Sequence, residues 1–426
     1  MRWLAWLTAA PRRRPNVTVA LGVALICVAI GLATGFWLLF RLAYVIFIGV
    51  PILYLWNRSM IRNIEVDVLR RDRRVTRGSD LEGRVLIRSR SRLPKIWLEV
   101  EDASDMPGHI TNRVVTLGSH GVDVWRYETP TLRRGLYTLG PITITSADPF
   151  GFFRMSRTFG EEVEVLVYPN APELPGLYLP PASLPGDGRF RRRTHNVTPN
   201  VAGIRAYEPG DSFSRVHWPA TARTGNLMVK LFELDPASDV WVLLDLEEGV
   251  HVGEGDDGTE ETAVMVAASI ARYFIAANRS VGLIAYGDDL RVDEPERGAN
   301  HYTRILETLA LARSVGEVPL DHLLLEEQRN FGRHTTVVAV TPSPDDAWAL
   351  ALMSLASRGV KVAAVLIEGE TFGSERGSLD VYGTLTAGGV YTYTVKLGDD
   401  LVHVLSAAAS APNPETGAPT GPVSPS

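Results

Sequence analysis

Cysteine is almost missing: the 426-residue chain has one, Cys27, and it lies inside an apolar run. A lone thiol excludes an intrachain disulfide and a cysteine-built zinc site, and it fits a reducing compartment. An excess of basic charge is missing too. Lys and Arg number 43 against 49 Asp and Glu, a formal net charge of −6, so the chain as a whole has no nucleic-acid signature. Familiar catalytic patterns are also absent: there is no G-x-S-x-G elbow, no G-x-x-x-x-G-K-[ST] phosphate loop and no H-E-x-x-H pair. The histidines, among them His195, His251, His301, His322 and His334, are scattered. Only His217 sits in a dense motif. It has no obvious nucleophile beside it, so a structural hydrogen-bonding role is expected.

Apolar residues make up 45% and charged residues 22%, which is an ordinary globular balance, and the length calls for two or three domains. The apolar residues are not evenly spread. Val17 to Trp56 carries a single charge, Arg41. One helix of that length would run roughly 60 Å, about twice the hydrocarbon core of a bilayer. Two spans fit better, Val17 to Leu38 and Leu42 to Trp56, with Gly31, Gly35 and Arg41 marking the turn. The second span is short and is expected to tilt little or to enter incompletely. A cleaved signal peptide is the weaker reading, because no small-residue cleavage site follows a short apolar core. Arg12, Arg13 and Arg14 precede the run, and Arg58 and Arg62 follow it. By the positive-inside rule the hairpin keeps both flanks, and the soluble domains, in the cytoplasm, as a multi-pass protein of the cell (inner) membrane. Arg70, Arg71, Arg73 and Arg74 read either as contacts to anionic headgroups or as a solvated loop.

From Ile64 to Tyr168 the period shortens. Arg84 to Arg90, Lys95 to Val100, Val122 to Glu128, Leu136 to Thr145 and Glu162 to Pro169 read as strands separated by turn residues. This pattern predicts an antiparallel β-sandwich-like module. Asp148-Pro149-Phe150-Gly151 reads as a turn, with Phe152 and Phe153 turned into the core. Ala171 to Pro185, rich in proline and leucine, reads as an extended connector. Arg189 and Arg191 to Arg193 follow as a solvated basic run or an anion contact.

Gly203 to Glu233 is the densest polar stretch. Pro209-Gly210-Asp211 is a turn signal, and three arginines and a tryptophan surround it. One reading pairs Asp211 with Arg205, Arg215 or Arg223 in a structural network, since a guanidinium holds a carboxylate bidentately. The other leaves arginines exposed for an acidic partner. The structural reading is preferred, and Trp218 is expected in the core.

The pattern formed by Arg205, Tyr207, Gly210, Asp211, Arg215, Trp218, Ala222 and Arg223 resembles the hallmark of the family called domain of unknown function 58. Arg133 to Phe153 is similar to that family's second signature. The resemblance implies an N-terminal membrane hairpin, a β-rich region, and a C-terminal domain like von Willebrand factor type A. It also implies work alongside an AAA+ ATPase of the MoxR type, in assembling or maturing protein complexes. The family's biochemical activity is not established.

After Glu233 the pattern becomes strand–helix alternation. Strands are expected at Asp239 to Leu246, Val281 to Gly287, Thr335 to Thr341, Val360 to Ile367 and Val390 to Val395. Helices are expected at Thr259 to Asn278, His301 to Arg313, Pro344 to Arg358 and Asp399 to Ala409. Continuous apolar strands imply a parallel, doubly wound α/β sheet covered on both faces. The domain boundaries follow: 1–62 anchor, 63–170 β module, 171–236 connector with the motif, 237–409 α/β domain, and 410–426 a disordered tail. Metal-binding type A domains carry D-x-S-x-S after the first strand, whereas this chain reads Asp245-Leu246-Glu247-Glu248-Gly249. Asp245 and Glu247 are the candidate ligands for magnesium, but both serines are missing, so no cofactor is expected. The reading is therefore a non-enzymatic, membrane-anchored interaction or assembly factor without nucleic acid. The alternatives are a metal-dependent ligand-binding type A protein and a hydrolase with a site near Asp211 and His217.

Overall fold

The structure, a computed structural model, describes residues 15–110, 112–177, 201–207, 216–232, 239–253, 255–332 and 335–406. The chain forms two compact units, Met1–Asn170 and Ala171–Ser426. The described residues of the first include two apolar helices, α1 (Pro15–Thr34) and α2 (Trp37–Ile61). Each is long and apolar enough to cross a membrane. They turn at Gly35, whose φ of 72° favours glycine. Small side chains let them approach: Ala24, Cys27 and Ala43 are buried between them. Two expectations change here. Arg41 does not mark the turn but lies within α2, its guanidinium 4.1 Å from the Trp37 ring centre. The second helix is not short, since it runs 25 residues.

Among the described residues nine strands follow: β1 (Ile64–Arg70), β2 (Arg74–Thr76), β3 (Asp80–Ser89), β4 (Lys95–Ser104), β5 (Arg113–Leu117), β6 (Val122–Pro130), β7 (Gly135–Ala147), β8 (Arg154–Phe159) and β9 (Val163–Tyr168). They form one sheet in the order β1-β3-β6 and a second in the order β2-β9-β7-β4-β5, with β8 beside β7. The pairing is antiparallel except for β2 with β9, which is parallel. Alternation predicted this core well. Val85 and Ile87 of β3 share one apolar cluster with Leu98 and Val100 of β4 and Ile142 and Ile144 of β7.

The Asp148 turn joins this module to the hairpin. The Asp148 carboxylate accepts the backbone N–H groups of Phe150, at 2.9 Å, and of Phe153. Phe153 is buried, as expected, and its ring meets Tyr54 of α2 edge-on at 5.5 Å. Its carbonyl accepts the side-chain amide of Asn57, which is fully buried on α2. Lys95 reinforces the joint. Its buried ammonium donates to the Ser59 carbonyl near the α2 C-terminus, where unpaired carbonyls attract a cation. Burial pushes the Lys95 pKa down.

The basic run after β1 does not behave as a unit. Arg70 is neither a headgroup contact nor solvated. Its guanidinium is 2.6 Å from Asp102 and also donates to the Leu139 carbonyl at 3.0 Å, with both charged side chains almost fully buried. His109 lies 3.4 Å from the other Asp102 oxygen. Burial works against ionisation of Asp102, but His109 and Arg70 outweigh it and hold its pKa below the usual carboxylate range.

The second unit contains β10 (Val201–Ala206), α3 (Trp218–Thr224), β11 (Met228–Phe232), β12 (Val240–Leu244), α4 (Thr259–Ala276), β13 (Val281–Tyr286), β14 (Leu290–Glu296), α5 (Ala299–Leu311), α6 (Leu320–Glu326), β15 (Thr336–Thr341), α7 (Asp346–Ser357), β16 (Lys361–Ile367), α8 (Leu379–Ala387), β17 (Tyr391–Val395) and α9 (Leu401–Ser406). Its main sheet has the order β14-β13-β12-β15-β16-β17. The sheet is parallel apart from β14, an antiparallel edge that the sequence pattern did not reveal. Both faces are covered. Val240, Val242 and Leu244 pack on α4, α5 and α9 through residues such as Val264, Ile305 and Leu405. The alternate residues Trp241 and Leu243 pack on α6, α7 and α8 through Leu323, Leu352 and Val381. The start of the expected connector is not free: Leu174 and Leu177 are buried in the first of these clusters, and Arg272 donates to the Ala171 carbonyl at 2.7 Å.

Asp102→Ala strips a buried guanidinium of its carboxylate, a change that typically costs about 3–5 kcal/mol. Calorimetry of the detergent-solubilised full chain is expected to show one unfolding transition at markedly lower temperature. An unchanged transition would mean that water reaches Arg70.

Candidate functional site

Two places carry the candidate residues. The first is the motif stretch. β10 and β11 pair antiparallel, with Arg205 opposite Val229. Val216 bridges to Val229 from the other side, so β11 is flanked on both edges. Tyr207 and His217 are brought to the same end of this unit. The Tyr207 N–H donates to the Leu227 carbonyl and the His217 N–H to the Met228 carbonyl, both at 2.8 Å. α3 is a seven-residue helix with a cap at each end. His217 Nδ1 accepts the Ala220 N–H at 3.1 Å, which fixes that nitrogen as an acceptor and caps the helix. Gly225, at φ 74°, closes the helix.

Helix α3 buries none of its residues. Trp218 is 64% exposed, contrary to the expected core position, and Arg223 is also exposed. Seven residues cannot present a wide apolar stripe, so the ring projects from a small, doubly capped turn. Asp211, expected to pair with Arg205, Arg215 or Arg223, lies outside the described residues together with Gly210 and Arg215, as does the side chain of Arg205.

The second place is the carboxyl end of the main sheet, between β12 and β15, where the strand order reverses. Such a reversal opens a crevice in which α/β proteins place their ligands. Here Asp245 occupies it. The Thr341 hydroxyl donates to Asp245 Oδ2 at 2.5 Å, and the Glu247 N–H donates to Oδ1 at 3.1 Å. Thr341 Oγ1 is itself fixed by the Ser343 N–H at 2.8 Å. Asp245 is fully enclosed. Burial raises its pKa to about 6, partly offset by Thr341 and the Glu247 backbone.

The loop after β12 is held from two sides. His251 Nε2 donates to the Asp245 carbonyl at 3.0 Å, which leaves Nδ1 to accept the Thr259 hydroxyl at 3.0 Å. Gly316 donates to the Leu246 carbonyl at 2.9 Å, and a Cβ there would come within 2.6 Å of the Tyr286 carbonyl, so only glycine fits. Outside this lock the rim is acidic. Burial, then the nearby charges of Asp345 and Asp321, raise the Glu247 pKa. Among the described residues no three or more His, Cys, Asp or Glu side chains gather to hold a metal ion. The sequence pointed to Asp245 and Glu247 but missed Thr341 and His251. The signal for Thr341 was a hydroxyl ending an apolar strand before Pro342-Ser343-Pro344; His251 carried no signal of its own.

Residues 203–371, spanning both places, match the family model described as Protein of unknown function DUF58. An uncharacterized protein of Bacillus subtilis, YeaD, is 23% identical over 303 residues, covering 68% of this chain and 72% of that protein. An uncharacterized protein of Mycobacterium tuberculosis, Rv1480, is 30% identical over 109 residues, 25% of this chain and 34% of its own length. Among solved structures, proximal thread matrix protein 1 of the mussel byssus covers 41% of this chain and 47% of its own at 13% identity, with a TM-score of 0.31. The CARDB domain of a Pyrococcus furiosus protein covers 25% of this chain and 94% of its own at 18% identity, with a TM-score of 0.18. Likenesses at such scores carry no argument.

The buried carboxyl predicts a pH dependence. Below its unfolded value near 3.8, Asp245 is protonated folded or unfolded. Between about pH 4 and 6 the unfolded chain releases this proton before the folded one does, so stability falls as pH rises, by about 3 kcal/mol across the window. In Asp245→Asn this part of the slope is expected to vanish, read as melting temperature against pH beside wild type. An identical slope would place the titration elsewhere. Added magnesium is expected to leave the profile unchanged, because Asp245 is buried and both serines of the D-x-S-x-S pattern are missing.

Proposed function

We propose that this chain is a membrane-anchored cytoplasmic interaction or assembly factor that works with a MoxR-type AAA+ ATPase. The observation that carries the reading is the exposure of Trp218 and Arg223 on α3, within the family-matched region. Exposed tryptophan and arginine are the residue types that dominate protein–protein hot spots. The strand order of the main sheet, with its reversal at β12 and β15 and its antiparallel edge, supports a von Willebrand factor type A-like domain. The two sheets that share a core in the first unit support a sandwich-like module. Asp245 at the reversal is buried, and both serines of the D-x-S-x-S pattern are missing, which disfavours the metal-dependent ligand-binding alternative. The capped His217 disfavours a hydrolase centred on that ring. The apolar helices and the flanking arginines support an anchor crossing the membrane twice, with both flanks in the cytoplasm.

Trp218→Ala and Arg223→Ala are expected to melt within about 1–2 °C of wild type, since surface changes usually alter stability by less than about 0.5 kcal/mol. In pull-downs from solubilised membranes, wild type is expected to retain a MoxR-type ATPase and both variants to lose most of it. Equal recovery would remove α3 from the contact, and no ATPase with wild type would end the partnership. For topology, a reporter fused after Ser426 is expected to be active only in the cytoplasmic form. Activity of a periplasm-dependent reporter alone would overturn the orientation.

A further inference from the structure

Among the described residues of the first unit, the joint between the hairpin and the β module leaves apolar surface uncovered. Ile96 and Trp97 of β4 are 52% and 51% exposed, and Phe150, in the turn after β7, is 67% exposed. They are not scattered. Ile52, Leu53 and Trp56 of α2 line one groove of about 220 Å³ together with Ile96, Trp97 and Pro149. The apolar surface of the helix therefore continues onto the β module without a break.

The level of this surface is fixed by two amides. Asn16, at the start of α1, donates to the Gly151 carbonyl at 3.2 Å, and Asn57, near the end of α2, donates to the Phe153 carbonyl at 2.8 Å. Both ends of the hairpin on this side therefore hold the turn that carries Phe150. These asparagines stand where apolar helix gives way to polar chain, and Arg58 and Arg62 are exposed just beyond. Trp97 has the character of a residue at a bilayer interface. Its ring is open, while its indole N–H donates to Glu99 at 3.1 Å and so is not left bare in an apolar layer. Phe150 stacks on Phe152, their centres 6.1 Å apart, which stiffens the tip.

We propose that Ile96, Trp97 and Phe150 form a second membrane-contact surface, seated in the headgroup layer beside the hairpin, with an acyl chain of that leaflet filling the groove against α2. The inference rests on the hairpin crossing the bilayer. It seats the β module, already clamped to the hairpin through Asn57, Phe153 and Lys95, directly against the membrane. Continuity with the apolar helix selects lipid as the occupant, and the arginines beyond suit anionic headgroups.

The test uses the full chain in liposomes of phosphatidylethanolamine and phosphatidylglycerol. Cys27→Ala removes the native thiol. Single cysteines then replace Trp97, Phe150, Ile48 in the middle of α2, or Leu136 at the far end of β7, each carrying a nitroxide. Leu136 is exposed and roughly 35 Å along the strand from Ala147. Collision with oxygen, which dissolves in the bilayer, is compared with collision with a water-soluble nickel chelate. Labels at 97 and 150 are expected to meet nickel several-fold less than the label at 136, and to meet oxygen more often than that label but less often than the label at 48. If 97 and 150 meet nickel as freely as 136 while 48 is shielded, the hairpin stands and the second surface falls. If 97 and 150 are shielded from both reagents while 48 meets oxygen, a protein covers the surface and the lipid assignment falls. If 48 itself meets nickel freely, the hairpin reading fails, and this inference with it.

Discussion

Asp148 is the constraint on which the first unit depends. A carboxylate buried beneath a turn must find donors, and this one takes the N–H groups of Phe150 and Phe153 from its own loop. That closes the turn and presents the Phe153 carbonyl to Asn57 of α2. The Phe153 ring then fills the space against Tyr54. A helix that could otherwise pivot about a short connection is clamped to the end of β7 by a hydrogen bond and a ring, with Lys95 holding the helix terminus from β4. The posture of the β module relative to the helical hairpin is therefore a property of packing.

Buried charge is handled in different ways across the chain. Arg70 and Asp102 neutralise each other, with His109 and backbone carbonyl oxygen completing the set, so the carboxylate stays ionised. Among the described residues no carboxylate pairs with Lys95, which relies on helix-end carbonyl oxygen. Among them, too, no cation pairs with Asp245. It has only a hydroxyl and an amide, which cannot repay the full loss of water, and its pKa rises accordingly. An uncompensated carboxyl at the strand-order reversal is where an α/β sheet would place chemistry or a ligand. In this chain that carboxyl is enclosed, and the acidity at the rim is carried by Glu247, Asp321 and Asp345.

Much of the architecture follows from local pattern. Two apolar runs with a glycine between them specify a hairpin of helices. Alternation over Arg84 to Arg90 and Leu136 to Thr145 specifies half-buried strands, and unbroken runs such as Val240 to Leu244 specify strands covered on both faces. Asp245 was visible because an acid directly after an apolar strand lands at the carboxyl edge. β14 was not, because LRVDEPE is an edge strand with little to bury and a proline within it.

Tertiary structure decided the partners. Arg70 belongs to a basic run in sequence, and only the approach of β4 supplied the carboxylate that buries it. Leu174 and Leu177 sit among prolines like a linker, yet the sheet's helical face had room for them. Trp218 has the composition of a core residue, but α3 is too short to bury it. Periodicity is a property of neighbouring residues, so the chain alone fixes which segments become helix or strand and which faces are apolar. Pairing a charge, enclosing a ring or leaving one bare depends on residues scores of positions away, and only the folded chain brings them together.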